Sequence, residues 1–168
     1  MAAHTTINAH EYRKGQFLIS TDRKRLDLDV IHEFLTECYW AKGIPREIVA
    51  RSIENSLCFG VYEEHQQIGF ARVISDFATY AYIGDVFVIE SHREQGIGNW
   101  LMKCVMEHPS LQNLRRWSLV TRDAHGLYAQ FGLLRCNRLR DKWNCSMRMY
   151  ISEVCPRMND RYVLENMR

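Results

Sequence analysis

Val86-Phe87-Val88-Ile89-Glu90-Ser91-His92-Arg93-Glu94-Gln95-Gly96-Ile97-Gly98-Asn99-Trp100 is the stretch whose reading decides the fold. Its apolar opening reads as a buried strand, its polar middle as a loop, and its two glycines as the entry to a helix. That helix carries Trp100, Leu101, Cys104 and Val105 to His108, where Pro109 stops it. The first turn of a helix holds unpaired N–H groups at the positive end of its dipole, and glycine lets a ligand approach the main chain closely. Arg93 to Asn99 therefore suits an anion such as a phosphate, with Arg93 as a fixed positive charge. Two nucleotide motifs are excluded. No Gly-Lys-Ser/Thr is present, and Leu101 stands where a dinucleotide fingerprint needs its third glycine.

Upstream, Gln16 to Ser20 reads as a strand, and Leu28, Ile31, Leu35 and Cys38 recur at near-helical spacing behind Asp27. Lys42-Gly43-Ile44-Pro45 breaks the pattern, and Pro45 suits the first position of a second helix carrying Ile48, Val49 and Ile53. From Leu57 the period changes to two. Leu57 to Tyr62, Ile68 to Ile74 and Tyr80 to Ile89 read as three strands of an antiparallel meander. Downstream, Trp117 to Thr121 is a strand, Ala124 to Phe131 a short helix capped by Gly132, and Met147 to Val154 a further strand. The expected fold is α/β (α+β): a mixed, mostly antiparallel central sheet with helices on both faces.

The 168 residues, 46% apolar and 25% charged, suit one soluble domain spanning 1–168. Residues 1–14 are expected to be a flexible arm and 134–168 a divergent basic segment. From Leu133 to Arg168 eight basic residues face four acidic ones, although the whole chain carries only +2. These arginines are scattered, which argues against nucleic-acid binding. No apolar run is long enough to span a membrane, and neither an export signal nor a glycine at position 2 is present, so a cytoplasmic protein is expected. Cys38, Cys58 and Cys104 read as core. Cys136, Cys145 and Cys155 are spaced too widely for a zinc knuckle, and no metal is expected.

Arg93-Glu94-Gln95-Gly96-Ile97-Gly98 resembles the Arg/Gln-x-x-Gly-x-Gly/Ala hallmark of the GNAT superfamily of N-acetyltransferases. Some thirty residues on, Ala124-His125-Gly126-Leu127-Tyr128-Ala129-Gln130-Phe131-Gly132-Leu133 resembles that family's Ala-x-x-Leu-Tyr-x-Lys-x-Gly-Phe helix, with Gln130 for the usual lysine and Leu133 for the usual phenylalanine. The resemblance extends over roughly Gln16 to Leu133, and the order of elements read above agrees with that family's. The resemblance implies acetyl-CoA as co-substrate, its pyrophosphate on the amides of Arg93, Glu94, Gln95, Gly96, Ile97 and Gly98. Asn99 would add a side-chain bond or simply be an exposed helix residue. It also implies that the pantetheine arm lies along Phe87 and Val88, and that Thr121 takes the place of an asparagine that contacts it.

Acetyl transfer from a thioester needs a neutral amine, and an alkyl amine of pKa ~10.4 is only about 0.04% neutral at pH 7. It also needs a donor for the departing thiolate and one for the carbonyl oxygen. By resemblance Tyr128 is the acid at the sulfur, and the Val88 N–H is the carbonyl's donor. Asp85 interrupts an apolar strand. A carboxylate there must be paired, hydrogen-bonded or used. Gly84-Asp85-Val86-Phe87-Val88 resembles the Glu-Asp-x-Phe-Val of diamine acetyltransferases with the first acid lost, leaving Asp85 as an amine-binding anion and base or as a structural aspartate. His125 is the alternative base, and a water chain is a third option. Tyr39 and Trp40, between the first two helices, are expected to meet the acceptor or to close the core. A small-molecule amine is the expected acceptor, a protein lysine or N-terminus the alternative, and a non-catalytic acyl-CoA module the rival from another class. The expected partners leave room for a homodimer, with no nucleic acid and no membrane.

Overall fold

The computed structural model describes residues 8–135 and 147–150. Eight strands form one sheet in the order β1-β2-β3-β4-β5-β6-β8-β7. The strands are β1 (Glu11–Lys14), β2 (Phe17–Ser20), β3 (Leu57–Glu63), β4 (Gln66–Ser75), β5 (Tyr80–Val88), β6 (Arg116–Thr121), β7 (Leu134–Arg135) and β8 (Met147–Tyr150). Only β5 and β6 run parallel; the other neighbours are antiparallel. The mixed, mostly antiparallel sheet expected from sequence is therefore the one observed.

Helices α1 (Leu28–Glu37), α2 (Arg46–Glu54), α3 (Ile97–Met106) and α4 (His125–Ala129) cover both faces. The Asp27 carboxylate accepts from the amides of Asp29 (2.9 Å) and Val30 (3.2 Å), a cap worth about 1 kcal/mol that fixes the start of α1. Ile31, Leu35 and Val49 from α1 and α2 pack with Cys58, Phe70 and Phe87 on one face. On the other face Leu101, Met102 and Val105 of α3 pack with Phe59, Ile83 and Leu119. Because both faces are covered, β3 is buried along nearly its whole length.

Two expectations change. Residues 11–14 are not part of a flexible arm: they form β1, turned onto β2 by Gly15 at φ 58°, with Lys14 paired to Phe17. Tyr12 leans on the α3-side core while Glu11 and Lys14 stay exposed, so a half-buried strand of charged composition reads as an arm in sequence. Pro45 precedes α2 as its cap residue. Residues 1–7, 136–146 and 151–168 lie outside the described residues, and with them Cys136, Cys145, Cys155, most of the basic segment and the end of the expected strand Met147 to Val154.

β5 carries the feature that shapes the site. Phe70 pairs with Phe87 and Arg72 with Gly84, so the single residue Ala71 of β4 stands against two of β5, Asp85 and Val86, a bulge with Asp85 at φ 52°. The extra residue reverses the side-chain alternation. Ala81 and Ile83 face α3, yet Phe87, of the same parity, faces α1 and stacks on Phe34 with ring centroids 3.8 Å apart.

Candidate active site

The parallel pairing of β5 with β6 ends at Ile83 and Leu119. Beyond it β6 continues against β8 through Thr121, while among the described residues Gly84 to Val88 have no partner on that side. The two strands thus part into a wedge, leaving about 16 Å of free strand edge at roughly 3.3 Å per residue. The Ile89 amide bonds the Ile68 carbonyl at 2.9 Å, so Ile89 faces β4; by alternation so does Phe87, and Val88 turns its N–H and carbonyl into the wedge. Of the two residues expected to line a pantetheine arm, Val88 offers backbone groups there. Phe87 instead offers its ring to the α1 side of the core.

At the end of the wedge, Glu94 (φ 64°) and Gly96 (φ 73°) turn the chain into α3. The helix begins its bonding with Trp100 N–H to the Gly96 carbonyl. No acceptor among the described residues meets the amides of Glu94, Gln95, Gly96, Ile97, Gly98 and Asn99. A Cβ placed on Gly96 or Gly98 would meet nothing within 4 Å, so the space before these amides is open. Six successive donors, the positive end of a ten-residue helix and open space match the needs of a pyrophosphate. Arg93 lies alongside, its Nε donating to the Val88 carbonyl at 3.2 Å. Asn99 is exposed on α3.

A cavity of about 730 Å³ opens from the wedge on the side of β6 and α4. Tyr128 forms part of its wall. The side chain is buried, and that burial, chiefly, pushes its hydroxyl up to about 12, so the phenol keeps its proton at neutral pH. Thr121 also borders the cavity, but its Oγ1 accepts from the Ala124 amide at 3.1 Å, fixing the turn into α4. His125 lies within α4 with a buried Nε2 that meets no partner among the described residues; its side chain does not border this cavity.

Asp85 faces Arg72, whose Nε donates to Oδ2 at 2.6 Å; both side chains are 16% exposed. Arg72 Nη1 also donates to Ser56 Oγ at 3.3 Å. Of the two sequence readings of Asp85, the paired one describes its geometry, and a base there would have to give up a short charge-assisted bond. The pair stands between the main cavity and a second of about 560 Å³, bounded by Lys42, Ile44 and Ile48. Tyr39 and Trp40 border both cavities and are partly exposed, so they line the site rather than close the core.

Arg72, Tyr82, Arg122 and Asp123 also border the main cavity and were missed in sequence. Arg72 had a signal, a lone cation inside the apolar run Ile68 to Ile74. Arg122 and Asp123, between the strand that ends at Thr121 and the helix that follows, carry no local pattern that marks them. Their role emerges only because Tyr39, 83 residues away, inserts its ring under the Arg122 guanidinium (3.8 Å) and its hydroxyl between the Arg122 amide (3.3 Å) and Asp123 (3.4 Å).

The GNAT acetyltransferase domain profile matches residues 54–132, from the last residue of α2 to Gly132, three residues past α4. A Gibberella zeae protein described as an acetyltransferase is 30% identical over 142 residues, spanning 71% of this chain and 79% of that protein. A crystal structure from Xanthomonas campestris, described as an acetyltransferase of the GNAT family, is 50% identical and superposes with a TM-score of 0.68, covering 76% of this chain and 85% of that one. The Vibrio cholerae spermidine N-acetyltransferase, solved with CoA and spermine, shares the fold at 18% identity (TM-score 0.63; 82% of this chain and 96% of that one).

Proposed function

The chain belongs to the GNAT family of acetyltransferases, and from that premise we propose that it transfers the acetyl group of acetyl-CoA to the primary amine of a small molecule by direct attack in a ternary complex. The observation that carries this reading is the row of six unpartnered amides at the end of an open strand edge, with the protonated Tyr128 on the wall of the adjoining cavity. The amides of residues 94–99 take the pyrophosphate, with Arg93 beside them. Val88, turned into the wedge, pairs with the pantetheine arm and offers its N–H to the thioester carbonyl. A pantetheine amide donating to the Val88 carbonyl would displace Arg93 from it and free the guanidinium for phosphate.

In the reaction the amine nitrogen forms a bond to the carbonyl carbon, the carbon–sulfur bond breaks, and the amine loses a proton. With its pKa near 12 against ~8.5 for a thiol, full proton transfer from Tyr128 to sulfur is uphill by roughly 5 kcal/mol. Tyr128 therefore stabilises the departing thiolate as a hydrogen-bond donor, and the proton shed by the amine ends on sulfur. Asp85, held by Arg72, is a poor candidate to take that proton. His125, the other base expected from sequence, does not border the cavity and its Nε2 is buried, so a water chain is left to relay it. A cavity of a few hundred Å³ walled by Tyr39 and Trp40 supports a small organic acceptor over a protein segment.

Calorimetric titration with acetyl-CoA, followed by free-thiol release over a panel of amines, tests the reading. Arg93→Ala and Gly96→Asp should each weaken acetyl-CoA binding about tenfold or more. The first removes a charge. The second places a carboxylate among the anion-binding amides and an L side chain at φ 73°, a strain of about 1 kcal/mol. A folded protein that binds no acetyl-CoA would overturn it.

A further inference from the structure

We infer that the acceptor amine carries a carboxylate, held by Arg122 at the rim of the cavity where the chain leaves β6; this rests on the acetyl-transfer reading and names the substrate class of that same site. Charge around the two cavities is distributed unevenly. On the sheet side Asp85 is neutralised by Arg72 at 2.6 Å, and its neighbour Gly84 brings no charge. A Cβ at Gly84 would lie 3.2 Å from the Tyr82 ring and 3.7 Å from the Arg72 guanidinium, so an acid there would meet a crowded ring and a cation already paired. The sheet side of the site thus has no spare negative charge; the other carboxylate bordering the cavity, Asp123, stands at the rim and accepts from the Tyr39 hydroxyl at 3.4 Å.

The rim is different. Arg122 is exposed, and the carbon of its guanidinium lies over the Tyr39 ring, 3.8 Å from the centroid. The cation–π contact holds the head of this side chain at the rim of the cavity. Among the described residues no carboxylate lies within 4.0 Å of Arg122, Asp123 included; the Asp123 carboxylate instead accepts from the Tyr39 hydroxyl. Lys42, on the border of the second cavity, likewise has no ion-pair partner among the described residues. A preorganised fork with open donors, facing a cavity shared with Tyr128, fits a planar bidentate anion. An amine at one end and a carboxylate at the other describe an amino acid or a similar zwitterion.

The test uses ω-amino acids of four to six carbons and their primary amides, pairs of nearly equal shape that differ in charge. Acetyl-CoA affinity is measured first. Absence of binding would overturn the acetyl-transfer reading and this inference with it. With that binding in place, each probe is titrated into the enzyme saturated with CoA, and acetylation is followed in parallel. The acids should bind at least tenfold more tightly than the amides, with the difference in KM rather than kcat, because the contact is made equally in ground and transition states. Arg122→Gln should bring the ratio near one, and Arg122→Lys should keep part of it; the thermal midpoints of both variants report that they fold. Equal binding of acids and amides, binding of neither, a ratio unchanged in Arg122→Gln, or spermidine outcompeting every acid would each overturn the inference.

Discussion

Tyr128 concentrates the chemistry at the scale of single residues. Burial holds its hydroxyl protonated to about pH 12, so it acts as a donor across the whole range in which the protein can be assayed. The sign of the pH dependence follows from the amine instead. Activity should rise with pH as the acceptor loses its proton toward pH ~10.4, with no falling limb assignable to Tyr128 below pH 10. Tyr128→Phe should lower kcat by roughly 10²-fold, leave acetyl-CoA affinity within about twofold and keep the shape of the profile. Steady-state kinetics from pH 6 to pH 10 on both proteins, with calorimetric titration at pH 7.5, check this. A falling limb near pH 9 that vanishes in the variant would show that the phenol titrates far lower than its burial implies.

Among the elements, β5 couples fold to site. Its bulge sends Phe87 under α1, leaves Val88 facing the wedge and turns Asp85 onto Arg72. Removing one partner of that half-sealed pair strands the other charge. Arg72→Met should therefore cost about 2–4 kcal/mol, and the double variant Arg72→Met/Asp85→Asn should recover most of it. Urea unfolding of the wild type, both single variants and the double variant gives the coupling energy directly. Near-zero coupling would mean that the bulge is held by β4 pairing alone. The same pair explains why Asp85, so conspicuous in the apolar strand, is spoken for within the fold.

For the molecule as a whole, pH stability is carried in part by a histidine far in sequence from the site residues of β5. His108 is fully buried, edge-on to His10 (4.8 Å) and Phe59 (5.5 Å), and burial, then the neighbouring His10, pull its pKa from 6.5 down to about 4. The unfolded chain binds that proton near pH 6.5 and the folded one only near pH 4, so within this window unfolding takes up a proton. Stability from this group is full above about pH 6.5 and is lost as pH falls toward 4, by about 3 kcal/mol at the lower end. His108→Phe should flatten the slope of stability against pH between 6.5 and 4.5, whatever its effect at neutral pH. Denaturant unfolding at five pH values resolves the difference, and an unchanged slope would place the titration elsewhere.

Local patterns determined much of this protein. Glycines at 96 and 98 after an apolar strand are enough to place an anion at a helix start, because unpaired amides and glycine geometry are properties of a few adjacent residues. The element order from β2 to α4, the apolar faces of α1 and α2, and Tyr128 on its short helix were legible for the same reason, whereas β1 was not. What the tertiary structure decided depends on contacts distant along the chain. The bulge exists only as a register between β4 and β5, and it reverses which face Phe87 serves; the wedge exists only where β6 turns from β5 toward β8. Arg122 gains its meaning from Tyr39, and Asp85 loses its freedom to Arg72. A charge shows its type in the sequence, but its partner, and hence what it is free to bind, is set by which strands and loops the folded chain brings within a few ångströms.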